Sequence, residues 1–218
     1  MPRIIDLLLS LLALLVLLPL FIPIVVILLF TGENKVFYLQ RRVGYKNKDF
    51  KIIKFATMLS NSANKGSGSL TLKNDPRVLP FGSFLRKTKI NELPQILNII
   101  IGDLSIVGPR PQMQVDFEKY SDDVQGKIYN VRPGLTGIGS IIFRDEESLI
   151  SLAAENENPH DFYKRVIAPY KGELEIWYHS HRSLFLDFQL IFMTAWVIVC
   201  PETRLYEKWF KDLPVRNF

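Results

Sequence analysis

From Leu7 to Phe30 the chain carries 24 residues without a charge, and no other stretch limits the fold as much. A helix crossing the hydrocarbon core of a bilayer needs roughly 20 apolar residues. A cleaved signal peptide has an apolar core of about 7–15 residues and a small-residue cleavage site. This run is longer and is followed by Thr31-Gly32-Glu33, so the expectation is a permanent anchor. Pro19 and Pro23 fall in its interior. Proline removes a helical hydrogen bond and clashes with the preceding turn, which predicts a kink or a break. A straight span would separate Met1–Asp6 from the body, whereas a re-entrant hairpin would leave both on one side. Lys35, Arg41, Arg42, Lys46, Lys48, Lys51 and Lys54 follow closely, which favours the cytoplasmic side for the body.

The net charge of +5 and pI near 9.2 call for an anionic partner. Charge alone leaves nucleic acid, nucleotide and anionic lipid open, and the anchor argues against nucleic acid. Cys200 is the single cysteine, which excludes an internal disulfide and agrees with a reducing compartment.

Val36–Met58 alternates short apolar and basic segments, with turn residues at Gly44 and Asn47–Asp49, and reads as a pair of short strands. Residues 60–69 have the composition of a flexible loop, either a lid or a tolerated insertion. Tyr163–Tyr178 has helical spacing of Val166, Tyr170, Leu174 and Trp177. Leu190–Cys200 is too short to span a bilayer. It suits a helix lying in the interface or a buried core helix.

The chemistry concentrates in Lys87–Pro111, KTKINELPQILNIIIGDLSIVGPRP. Pro94 suits a first helical turn, Ile96–Ile101 continues the helix, and Gly102 is a natural stop. Asn91 and Glu92 therefore fall at or just before a helix start, where an anion is favoured. Glu92 is a suitable oxygen ligand for Mg²⁺; Asn91 also reads as a plain N-cap. In Gly108-Pro109-Arg110-Pro111 the prolines stiffen the backbone around a guanidinium able to grip phosphate; a surface turn would look the same. Val131-Arg132-Pro133-Gly134-Leu135-Thr136-Gly137 repeats the Arg-Pro element with glycines, which serve close ligand approach or a tight turn. Asp145, Glu146 and Glu147 are either metal or sugar-hydroxyl partners or a solvated face. His179 and His181 lack a third ligand at zinc spacing, and no Walker or dinucleotide fingerprint occurs.

Taken together, these segments resemble the bacterial sugar transferases known as monotopic phosphoglycosyl transferases. The likeness rests on Arg3–Asp6, FYLQRRVG from Phe37, KFATM from Lys54, Asp75-Pro76-Arg77, Phe81-Gly82 through Lys87-Thr88, ELPQ from Glu92, GDLSIVGPRP from Gly102, RPGLTG from Arg132, ELEIWY from Glu173, and Ser183–Asp187. It covers nearly the whole chain.

The resemblance implies an α+β fold, mainly helical with short β-hairpin elements. Residues 1–32 would form a re-entrant membrane helix. Residues 33–218 would form a catalytic domain, with interfacial helices, on the cytoplasmic face of a bacterial inner membrane. It further implies transfer of a sugar-1-phosphate from a UDP-sugar to undecaprenyl phosphate with release of UMP, membrane lipids as partners, and a homodimer as a further expectation. In that family an Asp-Glu pair carries the reaction: the Asp attacks phosphorus and the Glu helps to hold Mg²⁺. The corresponding positions are Asn91 and Glu92, with Lys54, Arg86, Arg110, Arg132 and Glu175 as substrate-binding residues. Three positions depart from the pattern: Asn91 replaces the Asp, Ala56 replaces an arginine, and Glu175 replaces an Asp. The amide at 91 raises a second expectation, a membrane-bound binding or scaffold protein of the same fold without turnover.

Overall fold

In the computed structural model, which describes residues 1–60, 62, 70–72 and 74–218, Arg3–Phe30 forms one helix, α1. It runs through Pro19 and Pro23 without a break, although the sequence predicts a kink or break there. Most of its side chains are exposed and apolar, with Leu8, Leu15, Val16 and Phe30 more than 60% exposed, as a bilayer-facing helix requires. Its buried residues sit near both ends: Asp6 and Ser10, then Phe21, Ile24 and Leu28.

A hairpin follows. β1 (Phe37–Val43) pairs antiparallel with β2 (Asp49–Phe55), with Phe37 opposite Phe55 and Arg41 opposite Lys51. Because side chains alternate, Gln40, Arg42, Ile52 and Lys54 share one face. The expected two-strand reading of this segment is borne out. Most of residues 60–69, read from composition as a flexible loop, lie outside the described residues.

The helix α2 (Pro80–Lys87) leads into a tight turn at Ile90–Glu92 and then α3 (Gln95–Ile101), which stops at Gly102 in a left-handed conformation (φ 110°) as its sequence predicts. Phe21, Ile24 and Leu28 of α1 pack with Phe55 and Leu85 to join α1, β2 and α2. Asn98 of α3 supplies what a third strand would: its Oδ1 accepts the Ile53 N–H (2.9 Å), and its Nδ2 donates to the Lys51 carbonyl (2.8 Å).

Beyond α3, β3 (Ser105–Val107), α4 (Gln114–Phe117), α5 (Asp122–Lys127) and β4 (Gly134–Thr136) follow, with β3 and β4 pairing in parallel. The last part is helical: α6 (Ile138–Ile142), α7 (Glu146–Ala153), α8 (Pro159–Phe162), α9 (Ala168–His181), α10 (Leu184–Val199) and α11 (Leu205–Trp209). Ile138, Ile167, Leu174, Leu190 and Met193, all fully buried, centre the larger core here.

The N-terminal end of α1 is tied to this body by polar contacts. The Asp6 carboxylate, 1% exposed, accepts from Ser105 Oγ (2.9 and 3.0 Å) and from the Ile106 N–H (2.9 Å). Arg3 donates to the Ile99 and Ile100 carbonyls, the latter at 2.8 Å, so it caps the C-terminus of α3.

α10 is longer than the apolar stretch read from sequence and packs one face into the core while leaving the other exposed. Leu186, Leu190, Met193 and Val197 are buried, while Phe185, Phe188, Phe192, Trp196 and Val199 are exposed. Phe192 stacks on Trp196 and on Trp209 of α11.

Candidate active site

Three segments distant in sequence meet at Glu92. Lys54, on the inner face of β2, places Nζ 3.0 Å from Glu92 Oε1. Arg110, from the loop after β3, places Nη2 3.3 Å from the same oxygen. Lys89, entering the Ile90–Glu92 turn, has a left-handed backbone (φ 60°), a conformation that costs a side-chain-bearing residue energy and is held only by its surroundings. Arg42, Lys54, Gln95, Arg110 and Pro111 line a cleft at this point.

The electrostatics follow from crowding four cations around one carboxylate. Burial disfavours the ionised form of Glu92, yet Lys54, Arg110 and Lys89 together outweigh it and hold the carboxyl well below its usual range. Burial lowers Lys54 to about 8 against the raising influence of Glu92, with Arg42 and Arg110 adding to the depression. Burial also lowers Lys89 and Arg42, whereas Glu92 raises Arg110. The cluster therefore stays ionised near neutrality with positive charge in excess, the requirement of a site for a polyanion.

Glu92 makes both ion pairs through Oε1, and Oε2 carries no hydrogen bond among the described residues. A hard divalent cation bound by one carboxylate plus phosphate oxygens fits that free oxygen. Among the described residues no group of three His, Cys, Asp or Glu side chains converges, so such an ion would depend on its ligand's oxygens.

The other candidate residues are placed as follows. Asn91 is buried within the turn, its side chain caps no helix, and its Oδ1 has no partner among the described residues. This corrects the N-cap reading, because Pro94 occupies the capping position of α3. Arg86 pairs with Glu147 at 2.6 Å rather than with the cluster. Arg132 is also directed elsewhere: its Nε donates to the Gly102 carbonyl (3.0 Å) and its guanidinium lies over Tyr45. It thus joins Arg3 at the C-terminal end of α3, roughly 10 Å of helix away from the Glu92 end. Glu175, 1% exposed, lies behind the Arg110 loop and not among the cleft-lining residues. Asp145, Glu146 and Glu147 are each ion-paired, to Arg216, Lys171 and Arg86.

Sequence reasoning missed two cations as site residues, Arg42 and Lys89. The signal for Arg42 lies in hairpin parity, since it shares the inward face with Lys54. Its Nε and Nη2 donate to Gln40 Oε1, and its Nη1 to the Pro111 carbonyl (3.2 Å), which ties β1 to the Arg110 loop.

Comparison with known proteins gives a consistent answer. Residues 1–201 match the profile described as "Bacterial sugar transferase". The exopolysaccharide production protein ExoY of Rhizobium meliloti is 33% identical over 203 residues, 87% of this chain and 81% of that protein. ExoY of Sinorhizobium fredii is 37% identical over 163 residues, 68% of this chain and 72% of its own. An Aeromonas hydrophila protein named UDP-N-acetylgalactosamine-undecaprenyl-phosphate N-acetylgalactosaminephosphotransferase is 31% identical over 196 residues. That match covers 87% of this chain but 42% of the longer relative.

Proposed function

Because the chain belongs to the bacterial sugar transferase family and is an enzyme of sugar-phosphate transfer, we propose that it moves a sugar-1-phosphate from a UDP-sugar to undecaprenyl phosphate and releases UMP. The observation that carries this reading is the convergence of Lys54 and Arg110 on Glu92, with Arg42 and Lys89 beside them. Such a cluster neutralises a diphosphate and the charge that develops as its bridging bond breaks. In the transfer, an oxygen of the lipid phosphate forms a bond to the sugar-bearing phosphorus, and the bond from that phosphorus to UMP breaks. Asn91, a neutral amide, is a poor nucleophile, so we read the transfer as direct. Mg²⁺ held by Glu92 would supply further charge neutralisation at the diphosphate.

The place of reaction is a membrane face. Both ends of α1 contact the same body, through Arg3 and Asp6 at one end and Phe21, Ile24 and Leu28 at the other. That favours a re-entrant, monotopic helix over one that carries its N-terminus across the bilayer. The excess of lysine and arginine in the hairpin supports a body on the cytoplasmic side of the inner membrane. The exposed aromatic face of α10 and α11 suits the interface.

The test is UMP release by the purified full chain with a panel of UDP-sugars and undecaprenyl phosphate, with and without Mg²⁺. Release by the parent protein is expected. No release by the parent together with robust release by Asn91→Asp would favour a ligand-binding protein without turnover. A phosphosugar adduct seen by intact mass would overturn direct transfer.

A further inference from the structure

Arg110 is held from behind by two buried side chains that do not line the cleft. Its N–H donates to Glu175 Oε1 at 3.3 Å, and its carbonyl accepts from the Tyr129 hydroxyl at 2.8 Å. The same Tyr129 oxygen accepts the Gln112 N–H at 2.8 Å. Pro109 and Pro111 fix φ on either side, so the backbone around Arg110 has little freedom left. Glu175 and Tyr129 are each 1% exposed. Glu175 is wedged under α6 so closely that a Cβ on Gly139 would fall 2.4 Å from Oε1.

We propose that Glu175 is a positioning residue: by accepting the Arg110 N–H it sets the reach of the guanidinium toward Glu92 and toward a bound diphosphate. This rests on the transferase reading only for the identity of the ligand.

A buried carboxylate is an expensive way to accept one hydrogen bond unless it carries a proton. Glu175 Oε2 is buried without a partner among the described residues. The groups that face Glu175 are Arg110 from the loop, Lys171 and Tyr178 from α9, and Tyr120 and Tyr129 from the α4–β4 segment. Lys171 favours the charged form of Glu175 but is itself held by Glu146 at 2.8 Å, and burial outweighs it. Burial raises the carboxyl to about 7. A neutral carboxyl keeps the acceptor that Arg110 needs, and glutamine has the same shape with a permanent carbonyl acceptor.

The experiment is a double-mutant cycle on the full chain, with inorganic pyrophosphate binding and UMP release as separate readouts. Glu175→Leu removes the acceptor and should weaken pyrophosphate binding about tenfold, the scale of one well-placed hydrogen bond. Glu175→Gln should bind within about twofold of the parent. In an Arg110→Ala background, Glu175→Leu should add nothing. A general packing defect would instead weaken binding equally in both backgrounds, and that result overturns the proposal. Parental binding by Glu175→Leu, or a Glu175→Gln variant as weak as Glu175→Leu at unchanged melting temperature, does the same. Intact pyrophosphate behaviour with no UMP release from any donor would overturn the transferase reading and leave the role of Glu175 standing.

Discussion

Asp6 accepts hydrogen bonds from the Ser105 hydroxyl and the Ile106 N–H, although Asp6 and Ser105 are 99 residues apart. The link joins the long apolar helix α1 to β3, and β3 leads within three residues to Arg110. Arg3 makes the matching link to α3, the helix that follows Glu92.

Asp6→Ala should therefore destabilise the protein by more than a surface substitution would. It strands the Ser105 hydroxyl and the Ile106 N–H, each buried polar group costing about 1–3 kcal/mol. Asp6→Asn, which keeps an acceptor, should lose less. Thermal unfolding in nanodiscs measures the difference. Equal melting of Asp6→Ala and the parent would show that the link carries no weight.

Glu92→Gln removes the charge on which Lys54 and Arg110 converge. UMP release should fall by about a hundredfold, in the range seen when one preorganised electrostatic group is lost. Replacing Arg132, which serves the end of α3, should cost stability before activity. A steady-state comparison of the two variants, with melting curves, tests the assignment.

Lys54, lowered to about 8 by burial, gives the site an alkaline limit. Activity that needs its ammonium should decline as pH rises through about 8, and Lys54→Arg should remove that decline. Stability should move the other way. The folded-state value lies below the unfolded value, so the unfolded chain binds more protons between about 8 and 10.5, and stability rises across that window. Rate and melting profiles over the same pH series check both signs.

For Glu175 the sign is reversed. Its folded-state value of about 7 lies above the ordinary value of 4.5, so its contribution is full below about 4.5 and is lost as pH rises to about 7. The change is roughly 3 kcal/mol. The difference in unfolding free energy between the parent and Glu175→Gln should follow this course in a pH series, and a constant difference would refute it.

Gly134 and Gly108 come so close that a Cβ on Gly134 would fall 2.1 Å from the Gly108 nitrogen and 2.4 Å from the Thr136 oxygen. Gly134→Ala must separate β3 from β4 beside Arg110, with an overpacking cost of about 1–3 kcal/mol. Reduced melting temperature and reduced UMP release should appear together. Wild-type values for both would mean that the strands tolerate the separation.

The hairpin and the Gly102 stop were legible because their signals are local: alternation for one, a left-handed glycine after an apolar run for the other. Glu92 stood out because of its place before Pro94. Its pairing with Lys54 and Arg110 was not legible, because residues 38 and 18 positions away meet it only through tertiary packing. Arg110 and Arg132 have the same Arg-Pro signature, yet one guanidinium turns to the cleft and the other to the end of α3. Nothing local distinguishes them. The anchoring role of Asp6 was not legible either, because its partners lie about a hundred residues away.

The amide of Asn98 has a consequence beyond tying α3 to β2. A two-stranded ribbon normally leaves rows of open donors and acceptors that a neighbouring copy can zip onto, a hazard that grows when molecules are confined to two dimensions. With Ile53 and Lys51 already occupied by a side chain of the same molecule, that border is closed to intermolecular sheet growth.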